Sequence, residues 1–321
     1  MEYIILLFIL LIIELLYFKI ADKYNIIDRP NQRSSHNTVT LRGGGIVFYF
    51  GALAYFIYSG YEYPWFFLGL SLMMIVSFLD DILTLSNKIR LLVHFGSVLL
   101  MVYQLNVFSL HWYYLVIAFI VVVGVINAFN FMDGINGITA FYSLSVGCLL
   151  LIVNTRINFI DQRLIAFSLI SVGVFTFFNF RTKAKTFAGD VGSVCIAYIL
   201  LFCLGALIIK TGNLIYILFL TIYGIDTVWT IIRRLKLGEN IFEAHRSHLY
   251  QFLGNEAGLN KLMISFFYGF LQFVIGILVI SIAKYNFLIQ LIFAFSLLIG
   301  ISVVYLILKN FIIKRFVLKD H

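Results

Sequence analysis

Long apolar runs separated by short polar stretches set the pattern of this chain. Eleven runs approach the roughly twenty residues that a helix needs to cross a bilayer: about 2–20, 44–60, 64–79, 91–107, 111–129, 138–155, 162–180, 191–210, 213–231, 258–282 and 286–309. Two prolines, Pro30 and Pro64, and no low-complexity tract interrupt the pattern. The chain therefore reads as one polytopic domain over 1–321, an all-α integral membrane fold of about 11 transmembrane helices. The first run reads as a retained helix, because Met1-Glu2-Tyr3 lacks the positive charge of a signal peptide and no small-residue cleavage site follows. No internal repeat supports an inverted-repeat transporter.

Composition agrees with the pattern. Hydrophobic residues make up 62% and charged residues 12%, well outside the range of soluble domains. Loop charge sets the orientation. Nineteen of the 23 lysines and arginines fall on one predicted side, and Arg156, Arg163, Lys210 and Lys284 fall on the other. The expected topology is N-terminus outside and C-terminus cytoplasmic. It accounts for the net charge of +8 without a nucleic acid partner. Cys148, Cys195 and Cys203 sit in apolar runs without metal-site spacing, so buried free thiols are expected.

The polar punctuation carries the candidate chemistry, and on this topology it faces the cytoplasm. After the fifth run, Asn127, Asn130, Asp133 and Asn136 recur at intervals of three. That spacing puts them on one helix face, although Gly134 and Gly137 favour a helix end near Asp133. Either geometry gathers oxygen ligands suited to a hard cation and a nucleotide; a polar helix end meeting water is the plainer reading. Asp80-Asp81 end the third run, with Lys88 and Arg90 beyond them. Asp190 opens the eighth, placed to cap it or to hold a metal beside phosphates. Gly43-Gly44-Gly45 lets backbone amides approach an anion or lets helices pack closely. Asp226 lies within the ninth run, where an acid needs a partner or a site role. His245-Arg246-Ser247-His248 follows it, and an arginine between two histidines suits a pyrophosphate. His94, His111 and His321 attract no functional reading.

Taken together and in order, Asp80-Asp81, Asn127-x-x-Asn130-x-x-Asp133-Gly-x-Asn136-Gly137, Gly189-Asp190-Val-Gly-Ser193, Asp226, Arg233-Arg234 and His245-Arg-Ser-His248 resemble the polyprenyl-phosphate N-acetylhexosamine-1-phosphate transferases. The resemblance spans Asp28 to Tyr250. It implies attack by undecaprenyl phosphate on the sugar-linked phosphate of a UDP-sugar, release of UMP, and a lipid-pyrophosphoryl-sugar product. It implies Mg²⁺, with Mn²⁺ as the substitute, a bacterial cytoplasmic-membrane location, and homodimers, which are common in relatives. By similarity Asp190 is the principal metal ligand and Asn130 the second. Asp80 and Asp81 resemble the catalytic pair held to position or deprotonate the lipid phosphate, with either one as the acting residue, and Lys88 and Arg90 lie near the phosphates. Asn136 resembles a uracil contact, Asp133 lines the same pocket, and His245, Arg246 and His248 bind pyrophosphate and sugar.

The last loop departs from the three consecutive histidines of the peptidoglycan enzyme. With Thr186-Phe-Ala-Gly-Asp190 and Arg33-Ser-Ser-His36, it looks most like the O-antigen-initiating subgroup. That implies UDP-GlcNAc or a UDP-N-acetyl-6-deoxyhexose as donor and a surface polysaccharide as product. The alternatives are a secondary transporter of an anionic solute, with the acids coupling protons, and a CDP-alcohol phosphotransferase, whose two further aspartates are missing after Asp133.

Overall fold

The structure, a computed structural model, describes residues 1–30, 35, 38–83, 85–240 and 245–317, the side chain of Asn87 apart. Arg33, Ser34 and His36 of the subgroup motif lie outside the described residues. The helices are α1 (Glu2–Lys23), α2 (Val47–Tyr58), α3 (Pro64–Leu83), α4 (Asn87–Gln104), α5 (Trp112–Met132), α6 (Ile138–Ile157), α7 (Gln162–Asn179), α8 (Gly189–Thr211), α9 (Thr221–Lys236), α10 (Leu249–Gln251), α11 (Lys261–Ile282) and α12 (Phe287–Ile312). Every predicted run is helical. The one sheet among the described residues pairs β1 (Ile27–Asp28) with β2 (Thr40–Leu41), antiparallel. It is too short to leave a periodic signal.

The protein is an all-α integral membrane protein. Nine helices among the described residues are long and apolar enough to cross a membrane, fewer than the eleven expected. The second run, Gly44–Tyr58, is shorter. The fourth helix starts early enough to include Lys88 and Arg90, which dilutes its apolar length.

Burial is graded around α8. Its residues from Val191 to Leu204 are all buried, so it forms the axis on which α2, α3, α5 and α6 pack. Aromatic rings fill the joints: Phe66 of α3 stacks on Phe202 and Tyr198 of α8, with ring centres 4.1 and 5.6 Å away. At the other extreme α12, 26 residues long, buries only Tyr305, Lys309 and Ile312. Its exposed Phe287, Ile292, Phe295, Ile299 and Ile307 need a hydrocarbon solvent.

The two ends of the bundle differ in chemistry. At one end Arg163 pairs with Glu2 at 3.6 Å, and Asn213 donates to the Ala283 carbonyl at 3.1 Å. At the other, Arg42, Asp80, Asp81, Arg90 and Asp190 form one ion-pair network. Packing thus places Arg163 at one end and Arg42 and Arg90 at the other. Cys195 and Cys203 are buried, Cys148 is half-buried, and all three are free thiols.

Candidate active site

Helix α5 stops at Met132 because Asp133 takes the C-cap position, and Gly137 then turns at a φ of 88° to start α6. A left-handed φ favours glycine there. The broken helix folds the three-residue repeat into a pocket. Asn130, Asp133 and Asn136 line a cavity of about 290 Å³, joined by Asp28, Ser35, Arg42, Asn179, Asp190 and Gln251. Asn127 stays out, its amide donating back to the Val123 carbonyl of its own helix at 2.9 Å. Asn179 fixes the floor: its carbonyl oxygen accepts from Gly137 N–H at 2.7 Å and its amide donates to the Thr186 carbonyl at 2.8 Å.

Asp190 does not cap its own helix. Asp81, reaching from α3, accepts from the backbone N–H groups of Asp190 and Val191 at 3.1 Å each and so satisfies orphan donors of the first turn of α8. It also pairs with Arg42 Nε at 2.7 Å, and its side chain is fully enclosed. The Asp190 carboxylate is thereby released toward the cavity, where Arg42 and Arg90 approach at 3.2 and 3.7 Å. Arg90 in turn holds Asp80 at 2.8 Å, and Asp80 accepts from Leu85 N–H at 2.7 Å. Neither Asp80 nor Asp81 lines the cavity; both reach it through an arginine. Lys88 is exposed.

Of the two readings of Gly43–Gly45, the structure supports close packing. Gly44 N–H donates to the Phe187 carbonyl at 2.9 Å and Gly45 N–H to the Ala188 carbonyl at 3.2 Å, so these amides are not available to an anion. A Cβ on Gly45 would lie 2.4 Å from the Gly192 Cα. The glycines let the chain before α2 lie against α8, which brings Arg42 to Asp81 and Asp190.

The histidine loop sits beside the cavity. His248 is buried, with Nδ1 3.2 Å from Asp226. Its backbone N–H bonds the side chain of Gln251 at 3.1 Å, and Gln251 lines the cavity. The ring of His245 lies 5.0 Å from that of His248 and 5.7 Å from Phe131 at the end of α5. Arg246 pairs with Glu256 at 2.6 Å. Neither histidine lines the cavity directly. Asp28, Arg42, Asn179 and Gln251 are the cavity residues that motif reading left without a role. For Arg42 the signal was its position before three glycines.

Five acids, Asp28, Asp80, Asp81, Asp133 and Asp190, surround the cavity or its arginines, and they outnumber Arg42 and Arg90. Burial pushes the Asp133 carboxyl up to about 7, helped by the negative Asp190 and Asp81 and opposed by the hydroxyl of Thr139, 2.7 Å away. Burial pulls His245 down to about 4, with His248, Arg234 and Lys309 adding to it and Glu239 opposing, so this ring is neutral at pH 7. No cluster of three His, Cys, Asp or Glu side chains that could hold a metal exists among the described residues. The donor set instead fits a hard cation that takes few protein oxygens and keeps water and phosphate ligands, as Mg²⁺ does. The Asp190 carboxylate and the Asn130 side chain open on the same cavity.

Residues 63–211 match the family model described as Glycosyl transferase family 4. The chain is 28% identical over 271 residues to a probable undecaprenyl-phosphate N-acetylglucosaminyl 1-phosphate transferase of Bacillus subtilis, covering 77% of this chain and 75% of the relative. It is 29% identical over 264 residues to the undecaprenyl-phosphate alpha-N-acetylglucosaminyl 1-phosphate transferase of Thermotoga maritima, covering 76% and 78%. Similarity to the phospho-N-acetylmuramoyl-pentapeptide-transferase of the same organism is 29% over 187 residues, 52% of this chain and 59% of that one.

Proposed function

We propose that this chain, whose residues 63–211 match glycosyl transferase family 4, transfers an N-acetylhexosamine-1-phosphate from a UDP-sugar to undecaprenyl phosphate. An oxygen of the lipid phosphate attacks the sugar-linked phosphorus; the bond from that phosphorus to the bridging oxygen breaks; UMP leaves with that oxygen. The observation that carries this reading is the acidic cavity at one end of an apolar bundle, in which Asp190 is left open because Asp81 caps α8 in its place. The donor is UDP-GlcNAc or a UDP-N-acetyl-6-deoxyhexose, and the GlcNAc named in the two longer matches supports the first. The setting is the first membrane step of a surface polysaccharide of O-antigen or capsule type, on the cytoplasmic face of a bacterial inner membrane.

Asp190 and Asn130 would hold Mg²⁺, or Mn²⁺ in its stead; when bound, the ion neutralises charge on the pyrophosphate and on departing UMP. Arg42 and Arg90 keep Asp190 aimed into the cavity and offer guanidinium donors to phosphate oxygens. Asp80 and Asp81 hold those arginines, and through them the acceptor phosphate. Asn136 and Asp133 form the nucleoside end of the cavity, and the loop of His245, Arg246 and His248, beside the cavity and tied to it through Gln251, serves the sugar and pyrophosphate. Membranes given undecaprenyl phosphate, Mg²⁺ and one sugar nucleotide at a time test the reading by UMP release. UMP from UDP-GlcNAc or a UDP-N-acetyl-6-deoxyhexose, lost with EDTA, is expected. No UMP from any donor, or equal release with EDTA, overturns it.

A further inference from the structure

The last helix is mostly an apolar surface, yet one of its three buried residues is a lysine. Lys309 is 3% exposed, and its ammonium donates to Thr230 at 2.9 Å and to the Tyr305 hydroxyl at 2.6 Å. Tyr305 donates to Asp226 Oδ1 at 3.0 Å. The same carboxylate accepts from Tyr268 at 2.9 Å and from Leu249 N–H at 3.1 Å, and it meets His248 Nδ1 at 3.2 Å. Asp226, Tyr268 and Tyr305 also edge a mostly apolar cavity of about 510 Å³. The ammonium and the carboxylate are thus linked through the Tyr305 and Thr230 hydroxyls, and charges with apolar walls are weakly screened.

We propose that Lys309 is a positioning residue for His248: its ammonium balances the Asp226 carboxylate, which then acts as a pure acceptor and holds the imidazole with Nδ1–H inward. An ionised carboxylate can only accept, so the proton of a neutral His248 stays on Nδ1. The other ring nitrogen, Nε2, is buried and has no hydrogen-bond partner among the described residues, which leaves its lone pair for an incoming donor group. Carboxylates that orient an imidazole in this way fix both its tautomer and its tilt. Helix α12 also enters the histidine loop at a second point, since Lys309 lies over the Phe252 ring at 5.8 Å. The inference rests on the reading that His248 meets the sugar nucleotide.

The test pairs a catalytic cycle with a spectroscopic one. Lys309→Met is expected to lower kcat/KM for the sugar nucleotide about tenfold, the low end for losing a partner that orients an imidazole. In a His248→Gln background the same change should cost less than about twofold, because coupled residues are not additive. Equal losses in both backgrounds mean a general structural role and overturn the proposal. Ring-¹⁵N-labelled histidine NMR, with the His248 signal identified by its loss in His248→Gln, reads the tautomer without turnover. A proton on Nδ1 in the parent and a shifted mixture in Lys309→Met is expected. An Nε2 proton in the parent, or identical spectra in the two proteins, overturns the proposal even if no donor yields UMP. Lys309→Arg, which keeps the charge, should retain the parent spectrum.

Discussion

Asp81 and Asp226 look alike in the chain: each is an acid in or at the end of an apolar helix run. Their surroundings make them different devices. Asp81 meets a guanidinium and two helix-end amides, and through Arg42 it is one link from an open cavity. Asp226 meets two tyrosine hydroxyls, a threonine, an imidazole and one amide, and it is buried at the edge of a separate, mostly apolar cavity. The first network ties charges to a place where a ligand can enter. The second ties a loop to three helices. An acid in a membrane helix thus announces that it has partners, and the type of partner decides whether it serves binding or shape.

Substitutions that separate the two networks sharpen this contrast. The largest expected effect is at Asp190, whose carboxylate the Asp81 cap leaves open. Asp190→Ala should cut UMP release about a thousandfold while the melting temperature in detergent stays near the parent value. Near-normal turnover would remove Asp190 from the metal site. Asp81→Asn should cost about a hundredfold in turnover, and unlike Asp190→Ala it should also destabilise by about 1–3 kcal/mol, because a buried guanidinium bond and the α8 cap weaken together. A melting curve that does not move would dissolve the distinction between the two aspartates. Asp226→Asn should show the reverse balance, a melting loss as large as that of Asp81→Asn with only about a tenfold loss of turnover, since the buried network orients a loop. A turnover loss equal to that at Asp190 would place Asp226 in the chemistry.

The smallest effect is a slope. The Asp133 carboxyl is raised to about 7 in the fold, above its ordinary value near 3.9 in an unfolded chain. The folded state therefore binds the extra proton between about pH 4 and pH 7, and stability falls as pH rises through that window. Asp133→Asn removes the titration, so the fall in melting temperature across it should flatten. An unchanged slope would assign the pH dependence to another group.

Much of the fold was legible because apolar length is a local property. All eleven runs became helices, and the glycines around Asp133 marked the end of α5 correctly. The span count was less legible, because Lys88 and Arg90 shorten the apolar part of α4 and the second run has too few residues. In the candidate site, the sequence grouped Asn130, Asp133, Asn136 and Asp190 because each sits at the end of an apolar run. Arg42 escaped a role because its meaning depends on carboxylates 39 and 148 positions away. Gly43–Gly45 remained ambiguous for a related reason: whether an amide is open to an anion depends on which carbonyl lies opposite it.

The sequence alone determined that the chain is a bundle of membrane helices with its charged groups gathered at helix ends. Both follow from the cost of placing polar groups in hydrocarbon, which each segment meets by itself. Tertiary structure alone decided which carboxylate caps α8 and which stays open, and that a lysine on the last helix is linked through Tyr305 and Thr230 to the aspartate behind His248. Those outcomes depend on distances between helices remote in sequence. A hydrogen bond or ion pair is decided within about 3–4 Å, a scale that only the packed bundle supplies.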